Sequence, residues 1–277
     1  MKFDDLVREL DPTAACRCLW RYKGLVGQLT RREVASHYQD SVLGFVWMFA
    51  RPLLVLSVYS FVFGFIWPRD VDGLPIGAFA MTMFCGMSVY NIFSTSVNAA
   101  CGSVVGRAGL VKQVVFPLET LPYVQVLAQF IMGGAWLFLL YLGVFLVFGR
   151  LPVECLLLPA VLLPLFLFSC GSAWLVASLT VYLRDVKQFV PVVLQVLFFV
   201  TPIFWQLNMM KGARARYVPY LYLNPLTGIV ESLRDILIRG KFPDWRMLGC
   251  LSAVGFLVWC LGFAWFHKTK KGFADVI

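Results

Sequence analysis

The feature that most constrains this chain is where its charges are missing. No Asp, Glu, Lys or Arg lies between Asp72 and Arg107, Glu119 and Arg150, Glu154 and Arg184, Lys187 and Lys211, or Arg246 and Lys268. A helix crossing a bilayer needs roughly 20 mostly apolar residues, and each of these five windows supplies them. A sixth, at about 42–67, is interrupted only by Arg51. Buried helices of a soluble protein would need polar faces toward water, and most of these windows have none. With 14% of the chain charged, against about 25% in soluble domains, the sequence predicts an all-α integral membrane protein with about six transmembrane helices.

The spans are expected at about 42–67, 76–102, 122–148, 155–182, 189–206 and 247–266, making 41–277 one transmembrane domain. Residues 1–40 form a charged segment with no apolar run before about residue 42, so no cleavable signal is expected. Within it Leu19, Tyr22, Val26 and Leu29 share one helical face, and Arg17, Arg21, Gln28 and Arg32 another, with Trp20 at the edge. That is an amphipathic basic interface helix, suited to an anionic membrane surface or to a partner protein. Residues 103–121 form a substantial loop. The segment 207–246 is too polar to span, yet Asn224-Pro225 offers a cap and first-turn proline. Leu226, Ile229, Val230, Leu233 and Leu237 follow on one face and Gly240 closes it, giving a short outer helix before the last span. Placing both termini in the cytoplasm puts fourteen Lys and Arg inside against nine outside, the arrangement positive-inside favours.

In the second span Ser88, Asn91, Thr95, Asn98 and Gly102 recur at spacings of three and four, a polar, small-residue stripe that belongs against another helix or a wet cavity. Aromatic residues make up 16% of the chain, with Trp47, Tyr59, Phe63 and Trp67 in the first span. Such rings can pack on sugar faces without fixing one sugar, or sit in the core, the lipid or an interfacial belt. There is no P-loop, no HExxH and no CxxC among the eight cysteines, so no metal site and no cofactor are expected in this chain. Asp70-Val71-Asp72 is formally a DxD pair, and a solvated turn is its simpler reading. None of the five uncharged windows holds a carboxylate to relay a driving ion. Energy should therefore come from elsewhere. The net charge of +9 suits a membrane surface; no nucleic-acid motif accompanies it.

Leu29–Pro52 reads LTRREVASHYQDSVLGFVWMFARP. Arg32-Glu33, Tyr38, Ser41, Leu43-Gly44, Trp47 and Pro52 in it resemble the segment leading into the first span of type-2 ABC exporter permeases for polysaccharides and polyol phosphates. Leu110–Pro117 resembles that family's cytoplasmic coupling segment, Thr201-Pro202-Ile203 its close of span five, and Leu223-Asn224-Pro225-Leu226 with Arg234 its outer helix. Arg51 departs from the pattern, where the family often has Asn. The resemblance covers nearly the whole chain.

It implies a homodimer joined to two copies of a separate ABC ATPase, which carries the ATP and Mg. The implied substrate is a lipid-linked polysaccharide, O-antigen-like, with capsule and teichoic-acid exporters as near relatives, and the implied location is the bacterial inner membrane. On this reading Leu110, Val111, Lys112, Val114, Val115 and Phe116 contact the ATPase. Arg31, Arg32, His37, Tyr38 and Arg51 form the entrance for the lipid's diphosphate, since arginine holds phosphate oxygens bidentately. Membrane anchoring is the alternative for Arg31 and Arg32; snorkelling, or pairing with Glu33 or Glu119, is the alternative for Arg51. Trp47, Tyr59, Phe63, Trp67, Ser88, Asn91, Thr95 and Asn98 are candidates to line the channel. An intramembrane glycosyltransferase and a channel are the competing classes: the first has only Asp70 and Asp72 to work with, and the second should conduct without nucleotide.

Overall fold

Each of the six charge-poor windows holds a helix. The computed structural model describes residues 12–39, 42–62, 76–111, 116–206 and 216–276. Among them there is no strand, and the main helices are α1 (Pro12–Arg21), α2 (Lys23–Gln39), α3 (Val46–Phe61), α4 (Ile76–Cys101), α5 (Thr120–Phe148), α6 (Leu158–Tyr182), α7 (Val186–Val200), α8 (Pro225–Arg234) and α9 (Trp245–Thr269). Three stretches, Thr120–Phe148, Val153–Tyr182 and Trp245–Val276, are long and apolar enough to cross a bilayer on length and composition; Val46–Phe61 and Val186–Val200 are apolar but shorter. The chain is an all-α integral membrane protein.

The fifth window ends sooner than 206. Its helix stops at Val200, and Thr201 is extended (φ −76°, ψ 137°), because Pro202 excludes the helical conformation from the residue before it. The first helix starts at Val46 rather than 42. Gly44 turns the chain between α2 and α3 with φ 47°, a left-handed conformation glycine adopts at little cost. The N-terminal segment is two helices meeting at Tyr22, and their inward face is the one the sequence marks: Val26 is buried, Leu19 and Leu29 are half-buried, while Arg17, Arg21, Gln28 and Arg32 are exposed. That face packs on α5 of the same chain.

Helix α4 is the hub, touching α3, α5, α6, α7 and α8. Its hydroxyls satisfy themselves locally, as in Thr82 to Ala78 O (2.8 Å), Ser88 to Phe84 O (2.8 Å) and Ser96 to Ile92 O (2.6 Å). This back-bonding lets polar side chains sit in a dry helix. The most extensive helix pair is α6 with α9, which meet backbone to backbone. A Cβ added at Gly262 would lie 2.2 Å from the Gly171 carbonyl oxygen, so only glycine permits the approach, as in other small-residue contacts between membrane helices.

Within the segment 207–246, the described residues 216–246 differ most from expectation. Asn224 caps α8 as anticipated, its Oδ1 accepting from Leu226 N (3.1 Å), and Gly240 ends the turn that follows. But every residue from Leu226 to Arg234 is buried. The helix is not a one-sided surface element; it is enclosed by α4, α6 and α9. Glu231 and Arg234 can be buried because they pair at 2.8 Å, and Arg234 also donates to the carbonyls of Thr82 (3.2 Å), Ile203 (3.1 Å) and Trp205 (3.5 Å). Asn224 Nδ2 donates to Thr201 Oγ1 (2.9 Å), so the Thr-Pro break after α7 and the cap of α8 form one joint.

Candidate functional site

Four helices converge on a cavity of about 370 Å³. The end of α2 contributes His37 and Tyr38. The first turns of α3 contribute Trp47, Met48, Arg51 and Pro52, where Trp47 and Arg51, four apart, share a face. Helix α4 contributes Asn91, Thr95 and Asn98, and α5 contributes Gln129, Met132, Gly133 and Trp136. The cavity thus gathers three of the five expected entrance residues and four of the eight expected lining residues.

The stripe on α4 divides in two. Ser88 lies in the core, fully buried, whereas Asn91, Thr95 and Asn98 reach the cavity one to three turns on. Thr95 and Asn98 also border a second, open groove of about 320 Å³ beside α7, with Tyr90, Ser94, Pro191, Leu194, Gln195 and Phe198. The Tyr90 hydroxyl closes one end of that groove by donating to the Leu194 carbonyl.

Other expected residues lie elsewhere. Arg31 and Arg32 are exposed on α2 and are not in the cavity wall. Tyr59 packs near Phe204, with ring centroids 5.3 Å apart. Phe63, Trp67, Lys112, Val114 and Val115 fall outside the described residues, as do the side chains of Leu110 and Val111, whose backbone forms a short helix, Ala108–Val111. Phe116 is half-buried.

The electrostatics of the cavity are lopsided. Arg51 has no carboxylate or hydrogen-bond partner among the described residues, and the pairing with Glu33 or Glu119 is not made. Glu33 is held by Arg107 at 2.5 Å, and Glu119 by His267 Nδ1 at 3.1 Å and by Lys270. Pro52 has no N–H to give to the Met48 carbonyl, so this turn is short of a donor. Burial raises the Tyr38 hydroxyl pKa, with the nearby Arg51 charge pulling the other way. Asn91, Asn98 and Gln129 form no side-chain hydrogen bond with any described residue, although Gln129 is only 7% exposed. Asn98 is exposed and Asn91 half-buried, so the amides of this cavity are open to hydrogen bonds with water or a polar guest. No group of three or more His, Cys, Asp or Glu able to hold a metal occurs among the described residues.

Gln129 and Trp136 were not anticipated. The signal was present: Gln125 and Gln129, four apart, are polar residues on one face of an otherwise apolar window.

A second polar cluster joins the start of α5 to α6 and to the end of α9. Glu119, at the N-terminal boundary of α5, is 4% exposed. Burial alone would raise its carboxyl, but the hydrogen bonds from His267 and Lys270 outweigh this and hold it at about 2. Its carbonyl accepts from Trp174 Nε1 (2.9 Å), linking α5 to α6. Near the start of the segment 103–118, the Arg107–Glu33 pair ties it to α2, the helix that carries His37 and Tyr38.

The sequence pattern of ABC-2 type transporters matches residues 24–238. The O-antigen export system permease protein RfbA of Myxococcus xanthus is 29% identical over 94% of this chain and 98% of its own length. A permease of the same name from Klebsiella pneumoniae is 24% identical over 90% of this chain and 93% of its own. The polysialic acid transport protein KpsM of Escherichia coli is 24% identical over 90% and 94%.

Proposed function

This chain belongs to the ABC-2 type transporter family, and on that premise we propose that it is the membrane subunit of an exporter that carries lipid-linked, O-antigen-like polysaccharide across the bacterial inner membrane. It performs no hydrolysis itself. A separate ATPase subunit, two copies on a homodimer of this chain, supplies the energy by binding and splitting ATP. The relatives named above support the substrate class: two are O-antigen export permeases and one transports polysialic acid.

The observation that carries the site assignment is the cavity of α2, α3, α4 and α5, where an unpaired arginine faces neutral amides and two tryptophans. Arg51 meets the diphosphate of the lipid carrier, with His37 and Tyr38 beside it at the mouth. An arginine on a lipid-facing surface near the bilayer centre costs about 2.5–3.5 kcal/mol, whereas one facing a polar cavity meets an anion. Both termini and the segment 103–118 lie on the cytoplasmic side, where the ATPase engages the segment. Its displacement is passed to α2 through Arg107–Glu33 and to α5, α6 and α9 through Glu119.

The test is reconstitution of permease and ATPase in proteoliposomes containing polyprenyl-diphosphate-linked glycan. ATP hydrolysis should rise with the lipid-linked glycan, and glycan should become accessible on the far side. Arg51→Gln should leave the complex assembled with its basal hydrolysis but weaken the stimulation, with Arg51→Lys in between. Stimulation of Arg51→Gln at the wild-type level would remove the cavity from the substrate's path.

A further inference from the structure

Beyond its arginine, the cavity carries more recognition chemistry than a diphosphate needs. Gln129 is 7% exposed and its amide is unpaired; Asn91 and Asn98 on the facing helix are likewise unpaired among the described residues. Asn98 is exposed and Asn91 half-buried, so these amides stand open to the cavity, and their donors and acceptors are matched by a guest that can both donate and accept. A hydrocarbon chain can do neither. A bare phosphate accepts but does not donate, so it leaves every amide oxygen unanswered. A sugar ring does both with its hydroxyls, and with an acetamido group where it has one. Trp47 and Trp136 border the same space, and the apolar face of a pyranose packs on such rings.

We propose that this cavity binds the first sugar of the lipid-linked glycan, the one attached to the diphosphate. Gln129, Asn91 and Asn98 hydrogen-bond its hydroxyl or acetamido substituents while Arg51 holds the phosphate. The inference rests on the entrance reading above and adds to it a demand on the sugar. The size agrees: about 370 Å³ falls at the lower end of small-ligand pockets, roughly 300–1,000 Å³. That suits one ring with its phosphates and excludes a long run of the polymer. The waters that fill the cavity between substrates are displaced by hydroxyls that repeat their hydrogen bonds, the exchange that costs least. The permease therefore checks that a diphosphate lipid has been glycosylated before admitting it. The repeating sugars beyond the first are not read here.

The test uses the full-length permease purified with its ATPase, titrated calorimetrically with two soluble probes, farnesyl diphosphate and farnesyl diphosphate bearing one N-acetylhexosamine. The sugar-bearing probe should bind about tenfold or more tighter, the worth of one or two added hydrogen bonds. Gln129→Leu should abolish that increment and leave farnesyl diphosphate binding unchanged, while Arg51→Gln weakens both. Equal affinity for the two probes overturns the proposal while leaving the entrance intact. An equal loss of both probes in Gln129→Leu also overturns it, since the residue would then merely shape the site. Binding of neither probe, or of both unaffected by Arg51→Gln, sinks the entrance reading and this inference with it.

Discussion

Two arginines in this chain stand in opposite conditions. Arg234 is 1% exposed and makes four hydrogen bonds, one to Glu231 and three to carbonyls of Thr82, Ile203 and Trp205. Arg51 borders a cavity and has no partner among the described residues, beside amides that have none either. A buried charge is tolerated when its donors are filled; Arg234 is therefore a fastener, holding α8 to α4 and to the break after α7. Arg51 is exposed, so its donors are open to water and to any anion that enters the cavity. The contrast is one of burial and satisfaction together: Arg234 is enclosed with its donors filled, whereas Arg51 is exposed to the cavity with its donors open, the condition our proposal requires of a group that meets substrate.

The comparison can be broken first at its satisfied end. Arg234→Leu removes one of the two arginines that hold Glu231, leaving it Arg239 at 2.9 Å, and leaves three buried carbonyls short of a donor, so it should cost about 3–5 kcal/mol. The read-out is the temperature at which the purified protein loses its monodisperse size-exclusion peak. A variant as stable as wild type would show that Arg234 is not the fastener described.

Glu119 comes next. Its carboxyl is lowered from 4.5 to about 2, so the folded state favours the charged form. The resulting stability is complete above pH about 4.5 and is lost as pH falls toward 2, by about 3 kcal/mol. Glu119→Gln should cost about 1–3 kcal/mol at neutral pH, since Lys270 and His267 stay partly solvated, and should flatten the acid-induced loss between pH 4.5 and 2. An unchanged pH profile in the variant would mean that other carboxylates carry it.

How much of this was legible in the sequence follows the reach of each interaction. The cap and close of α8 were readable because Asn224, Pro225 and Gly240 act on their own backbone. The burial of α8 was not, because the acceptors of Arg234 lie 152 and 31 residues away at Thr82 and Ile203. Asn91, Thr95 and Asn98 showed themselves by helical period, while Ser88 on the same stripe faces the core, since periodicity fixes a face but not what lies opposite along its length. The alternative that Glu33 or Glu119 pairs with Arg51 could not be weighed from sequence for the same reason: their actual partners, Arg107, His267 and Lys270, are distant in the chain, and charge alone does not choose among them. Arg31 and Arg32 are close to His37 in sequence, yet they lie six and five residues back along α2, outside the cavity wall.

Arg51→Gln should shift stability by less than about 0.5 kcal/mol, as substitutions away from any partnered group do, although it weakens the response to diphosphate lipid. A loss of 2 kcal/mol or more would reveal a partner for Arg51 and put it in the same condition as Arg234.

The smallest effect is expected at Gln129, and its sign is informative. A buried amide with no hydrogen bond from the protein gains nothing from its polarity when the cavity is empty of substrate; its solvation comes from the water it faces. Leucine at this position removes the requirement for that water and adds apolar contact with Met132 and Trp136, which border the same space. Replacing an unpaired polar group by an apolar one of similar shape is close to neutral or stabilising, so Gln129→Leu should unfold at the same temperature as wild type or slightly above it. Natural proteins often give up stability where a site must stay open to its ligand, and a rise here would mark Gln129 as one such concession. A clear fall in the unfolding temperature would instead mean that Gln129 is satisfied within the protein. The line drawn between the cavity and the Arg234 fastener would then have to be moved.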